Sequence, residues 1–135
     1  MAALTEERLT PQRDADRFEF PVAAAAKILR GALVCINASS LAVKGAVATT
    51  LKCVGIAEET ADNSAGAASA ITVKVKRGCF PFANSASGDL IALKDVGSDC
   101  YIVDDQTVAL TNGGSTRSIA GKIRDVTADG VWVEI

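Results

Sequence analysis

The chain has 135 residues, 49% of them hydrophobic, a net charge of −2 and no histidine. That length fits one domain of ordinary size. The absence of histidine excludes Ser-His-Asp and Cys-His nucleophilic systems and His-based zinc or iron sites.

The 14 basic and 16 acidic residues are scattered, with no basic stripe of the kind nucleic-acid binders carry, so no nucleic acid is expected as a partner. Valine, isoleucine and leucine supply most of the core material, alongside many alanines and only 4% aromatic residues. Such a composition leans towards strands and makes a thin core, so some apolar surface is expected to be buried only on oligomerisation.

Residues 1–16 are polar, charged and broken by Pro11. They read as a flexible arm, with at most a helical turn over residues 5–9, that only a neighbour can order. The first residues lack a basic stretch followed by an apolar one, and no run of roughly 18 apolar residues occurs. A cytosol-like compartment with no membrane partner is therefore expected.

From Arg17 the pattern becomes β. Phe18 and Phe20 alternate with Arg17 and Glu19 until Pro21 stops or edges the strand. Residues 29–37 form a nearly continuous apolar run, as in a strand covered on both faces. A turn at Ala38-Ser39-Ser40 leads into residues 41–44, and residues 51–57 make another covered strand with Gly55 in its middle. Ile71, Val73 and Val75 alternate with Thr72, Lys74 and Lys76, and the run carries on through Cys79-Phe80-Pro81-Phe82. The basic cluster Lys74, Lys76 and Arg77 reads as a solvated face rather than a phosphate-binding patch.

Residues 89–95 are the helical candidate. Tyr101-Ile102-Val103 leads through a turn at Asp104-Asp105 into a return strand at 107–110. Residues 119–126 and 131–135 form a closing hairpin across Thr127-Ala128-Asp129-Gly130. Residues 60–70, 83–88 and 111–118 lack periodicity and read as exposed loops. The expectation is a mainly β fold: an arm at 1–16, then a compact β-sandwich or β-barrel-like domain at 17–135, with eight or nine short strands and at most one short helix.

A faint internal echo sets Val34-Cys35-Ile36-Asn37, Leu41-Ala42-Val43 and Val54-Gly55-Ile56 against Ile102-Val103-Asp104, Val108-Ala109-Leu110 and Ala120-Gly121-Lys122-Ile123. Two related β-lobes and chance similarity of short Val/Gly-rich strands both explain it.

No catalytic, cofactor or metal site is expected, and the chain reads as a non-enzyme. Adjacent carboxylates on a strand point to opposite faces, so neither Asp104-Asp105 nor Glu58-Glu59 converges on a substrate. Asp104, like Asn37 in the echoing turn, is better explained as a turn residue. The Gly-rich stretch from Thr111 to Arg117 lacks the Lys-Ser/Thr ending of a phosphate loop. Glu58, Glu59 and Asp62 do not form a calcium loop. Cys35, Cys53, Cys79 and Cys100 are widely spaced in apolar stretches and are expected as buried free thiols.

Several segments, taken in order across residues 17–135, resemble one family. They are Phe20-Pro21-Val22-Ala23-Ala24, Gly31-Ala32-Leu33-Val34, Val54-Gly55-Ile56-Ala57-Glu58-Glu59-Thr60, Lys74-Val75-Lys76-Arg77-Gly78, Asp95-Val96-Gly97, the run from Tyr101 to Val108, Ala120-Gly121-Lys122 and the closing Gly130-Val131-Trp132-Val133-Glu134-Ile135. The family is the capsid decoration, or cement, proteins of tailed bacteriophages and prophages, also known as a capsid fibre-like family. The resemblance implies a structural virion protein, assembled in the host cytoplasm, that binds the major capsid protein on the outer face of the shell and links capsomers. It also implies a closed homo-oligomer, a homotrimer before a dimer, with no cofactor.

The strand Arg17, Phe18, Phe20 and Pro21 is then suited to joining a neighbour's sheet edge, with the two phenylalanines as anchors, although they could equally fill the domain's own core. Trp132 is expected in packing or in a subunit contact. Rival expectations are a tail or head–tail joining part, and a β-sandwich module binding carbohydrate or a cell surface.

Overall fold

A computed structural model describes residues 2–135. In chain order the strands are β1 (Arg17–Pro21), β2 (Lys27–Ile28), β3 (Leu33–Ile36), β4 (Ala42–Lys44), β5 (Lys52–Ala57), β6 (Ala61–Asp62), β7 (Thr72–Lys76), β8 (Cys79–Phe82), β9 (Asp99–Ile102), β10 (Val108–Ala109), β11 (Ile119–Thr127) and β12 (Gly130–Glu134). One five-stranded sheet has the order β1-β7-β5-β3-β4, a second has β8-β12-β11-β9-β10, and β2 pairs with β6. All the named strand pairs are antiparallel. Parallel bridges from Val22 to Ala42 and from Ala83 to Thr107 tie each sheet's first strand back towards its far edge, so each sheet curls towards a barrel. The fold is mainly β, as the patterning predicts.

Strand β3 shows why apolar residues run on without alternation. Leu33 and Cys35 face a core shared with the second sheet, where Ile102, Ile123, Val131 and Val133 are buried. Val34, between them, faces the first sheet's own core with Val22, Ile28, Val73 and Val75. A strand covered on both faces has no polar side to declare. Each buried Val or Ile contributes about 1.5–3 kcal/mol. Ile123→Ala is expected to cost about 2–5 kcal/mol in urea unfolding. Ile119→Ala, at a side chain 49% exposed, should stay within about 1 kcal/mol of the parent.

The internal echo is a real repeat of architecture. Gly31 and Gly97, Val34 and Cys100, Ile36 and Ile102, Gly55 and Gly121, and Ala57 and Ile123 are each 66 positions apart and hold the same places in the two sheets. Backbone bonds repeat with them. Gly31 N donates to Ala57 O (2.9 Å) and Ala57 N to Ala32 O (3.0 Å), while Gly97 N donates to Ile123 O (2.8 Å) and Ile123 N to Ser98 O (2.9 Å). The echo's register slips by one at its first two strands, because Ile102 matches Ile36 and not Cys35, and Val108 matches Ala42 and not Leu41.

Several expectations are corrected. The apolar run at 29–37 is not one strand: the chain turns at Gly31, whose φ of 85° favours glycine, and leaves Leu29 52% exposed. The run from β7 does not carry on through Phe82. It stops at Lys76, and β8 belongs to the other sheet. Residues 89–95 form no α-helix. Two 3-10 turns, Ser87–Asp89 and Leu93–Asp95, flank the extended Leu90, and the Asp95 carboxylate accepts the Ala92 N–H at 2.8 Å.

The loop at 60–70 is not wholly exposed: it holds β6 and the buried Asn63, whose Nδ2 donates to Ala23 O and Ala67 O, both at 2.9 Å. Residues 5–9 show no helical turn, and residues 2–16 are exposed. Arg17–Pro21 is paired with β7 on one side and forms an edge of its own sheet.

Candidate functional site

The arm meets the body at one aromatic step. Phe18 and Phe20 lie two apart on β1 and therefore share a face. Their ring centroids are 6.1 Å apart with planes 16° from parallel. The Arg13 guanidinium lies 4.8 Å from the Phe18 centroid, a cation–π contact. The Asp16 carbonyl accepts the Arg77 N–H at 2.7 Å, and Arg17 pairs with Glu58 at 3.5 Å. Phe18, Phe20, Cys53, Val54 and Arg77 line a hollow of about 220 Å³.

Of the four residues singled out on β1, Phe18 and Phe20 come together in this step, half-buried. Arg17 is held by Glu58, and Pro21 lies opposite Thr72. The sequence does not connect Arg13, Glu58 or Arg77 with this strand: Glu58 stands there as one of two adjacent carboxylates and Arg77 as a solvated cation. Glu58 and Arg77 are far from β1 along the chain and come beside it only through the β1–β7–β5 pairing.

A second candidate is the groove of about 640 Å³ between the lobes, lined among others by Lys52, Tyr101, Arg117, Lys122 and Glu134. Its charges are largely spent on one another: Lys122 pairs with Asp99 at 2.7 Å, and Arg117 turns back to Asp89 at 3.2 Å and to the Thr111 carbonyl at 3.1 Å. The Gly-rich loop folds in the same way, with the Thr116 and Arg117 N–H groups donating to Asn112 O. These main-chain N–H groups turn inward and are not offered to an anion.

Asp104 accepts the Gln106 N–H at 2.9 Å and Asn37 accepts those of Ser39 and Leu41 at 2.9 and 3.0 Å, so both are the turn residues expected of them. No family model matches this chain, nor does any curated protein or solved structure. Its role is therefore read from its own surfaces.

Trp132 lies on β12 opposite Pro81, half-buried, and its indole N–H donates to the Thr127 hydroxyl at 2.9 Å. It braces the β11–β12 hairpin and still leaves part of its ring to solvent. The thiols divide. Cys35 and Cys100 are buried, Cys53 is half-buried opposite Cys35, and Cys79 is exposed, which corrects the expectation that all four are buried; all are free. A hydrogen bond with Cys53, then burial, pushes the Cys35 thiol well above its ordinary range. Among the described residues no cluster of His, Cys, Asp or Glu is placed to hold a metal ion, and no helix is long and apolar enough to cross a membrane.

Proposed function

We propose that this chain is a capsid decoration protein of a tailed bacteriophage. In this role it binds the major capsid protein on the outer face of the expanded shell, associates with copies of itself, and ties neighbouring capsomers together. The observation that carries the reading is the body's form: two fused barrel-like lobes with an exposed arm, residues 2–12, that leaves at the Arg13–Phe18 step. The ordered resemblance over residues 17–135 supports it. A rigid body with an unpaired leading segment suits a partner surface that orders the segment, because an extended strand or coil gains main-chain hydrogen bonds there. Leu4 and Leu9, 71% and 98% exposed, are the arm's apolar groups available to such a surface. Leu90 and Leu93, on the loop before β9, add exposed apolar area on the body.

Linkage gives the physical effect. A protein that binds the expanded shell and not its precursor stabilises the expanded form by its differential affinity. Weak contacts repeated around a closed oligomer add by avidity.

Purified protein mixed with undecorated expanded heads is expected to add regular density on the outer surface in electron micrographs. Density confined to the tail or the head–tail vertex would instead assign it to those parts, and none anywhere would overturn the proposal. Deleting residues 2–12, which spares Arg13, should shift the melting midpoint by less than about 2 °C while weakening shell binding by about tenfold or more. Undiminished binding would remove the arm from the interface.

A further inference from the structure

The two lobes carry opposite charge. Residues 17–77 hold eight Lys and Arg against four Asp and Glu, and residues 78–135 hold four against eight. Ion pairing deepens the contrast. In the second lobe Arg117, Lys122 and Arg124 are each engaged by a carboxylate, at 3.2, 2.7 and 3.2 Å. Asp125 and Asp129, which flank the tip of the β11–β12 hairpin, are exposed and pair with no Lys or Arg among the described residues. In the first lobe Lys74, Lys76 and Arg77 likewise form no ion pair within 4 Å. Lys74 does lie opposite Glu19, whose carboxylate accepts the Thr72 hydroxyl and is the one acidic group on the β1–β7 strands. Lys74 and Lys76 alternate with the buried Val73 and Val75, so they point outward. Lys76 lies directly opposite Arg17 across the β1–β7 pair. Like charges in register destabilise a sheet unless something offsets them, and Glu58 engages only Arg17.

We propose that copies of this chain associate head to tail, the basic β1–β7 face of one seating the acidic β11–β12 hairpin of the next. A polyanion or a membrane surface fits less well, because the whole chain is net negative and only one lobe is basic. A second copy supplies the complementary sign from the same sequence. Such contacts are heterologous, and they close into a ring when the rotation between copies allows. The inference deepens the self-association in the proposed function and rests on it, but it is read without shells.

Sedimentation of the full-length protein tests it. Raising salt from about 0.1 M to about 1 M shortens the screening length from about 10 Å to about 3 Å and is expected to weaken association by about tenfold or more. Lys74→Glu/Lys76→Glu/Arg77→Glu should be monomeric, as should Asp125→Lys/Asp129→Lys. The chain carrying all five changes should associate again, because both faces have swapped sign. If that chain misfolds by circular dichroism, an equimolar mixture of the two partial variants presents the same complementary pairs and should form mixed oligomers. A wild type that stays monomeric at about 0.1 M salt would overturn the proposal. So would salt-indifferent association, or folded swapped faces that do not pair. None of these results bears on whether the protein decorates heads, which the micrographs decide separately.

Discussion

Alanine at Gly55 is expected to destabilise the protein by about 2–4 kcal/mol. Gly55 lies where β3 and β5 slip register, between the Val34–Gly55 and Cys35–Cys53 pairs. Its φ of 142° is one that side chains rarely adopt, and a methyl group there would overlap the Lys76 carbonyl oxygen on β7. Its counterpart Gly121, at the corresponding slip between β9 and β11, meets the Glu134 carbonyl oxygen in the same way but without the positive φ. Gly121→Ala should therefore cost less than Gly55→Ala, though still above about 1.5 kcal/mol.

Two controls complete the series. Gly114 has a φ of 72° in open space, so alanine there bears backbone strain alone, about 1 kcal/mol. Gly88 has open space and no positive φ. Alanine there should be neutral or stabilise by a few tenths of a kcal/mol, because it restricts the unfolded chain. Urea unfolding of the four variants measures the order. Gly55→Ala matching wild type would mean that β5 and β7 do not approach as closely as their pairing requires.

Which parts of this fold were legible follows from which residues answer to one constraint and which to two. The β11–β12 hairpin and β7 have one buried face, so Val73 and Val75, or Val131 and Val133, alternate plainly with polar neighbours. Residues 29–37 answer to two cores at once, and their apolar run hid the turn at Gly31, which only the backbone conformation reveals. Residues 89–95 carried apolar groups near helical spacing, but Ile91 alone enters the core while Leu90 and Leu93 are exposed, so no continuous apolar face stabilises a helix there. The repeat was audible through its glycines and nearly lost elsewhere. Its lobes keep backbone geometry at Gly31/Gly97 and Gly55/Gly121, while the positions between them accept any side chain of suitable polarity.

The surfaces were harder to foresee, for the same reason. Phe18 and Phe20 stand out in the sequence because large aromatics are scarce in it, but the sequence could not show that β1 is already spoken for by β7. With β1 held in its own sheet, the arm is the segment that stands clear of the body. What reaches outward is residues 2–12, and the aromatic pair is its footing, held from the far side by Arg77 of the β7–β8 connection. The opposite charges of the two lobes were present in the residue counts all along. They become meaningful only once the boundary near residue 77 is known, since the summed charge of the whole chain conceals them.

Alkaline solution is expected to weaken the fold through thiols that look inert at neutral pH. Burial pushes the Cys100 thiol from its ordinary 9.0 up to about 12, and Cys35 is raised as well. The folded state therefore favours the protonated thiol. Below pH 9 both states keep the proton, and the contribution is constant. Above it the unfolded chain releases its proton while the folded chain holds it, so stability falls by about 1.4 kcal/mol per pH unit for each such thiol. For Cys100 the loss reaches about 4 kcal/mol by pH 12.

Cys100→Val isolates this share, because it removes the thiol at a buried position whose counterpart in the first lobe is itself a buried valine, Val34. Urea unfolding under reducing conditions at pH 8 should give the two proteins similar stabilities. Between pH 9 and 11 the variant's decline should be shallower by about 1.4 kcal/mol per unit, while the lysine and tyrosine titrations common to both cancel in the difference. Parallel declines would mean that Cys100 ionises as freely in the folded chain as in the unfolded one, and that water reaches the core shared by the two lobes.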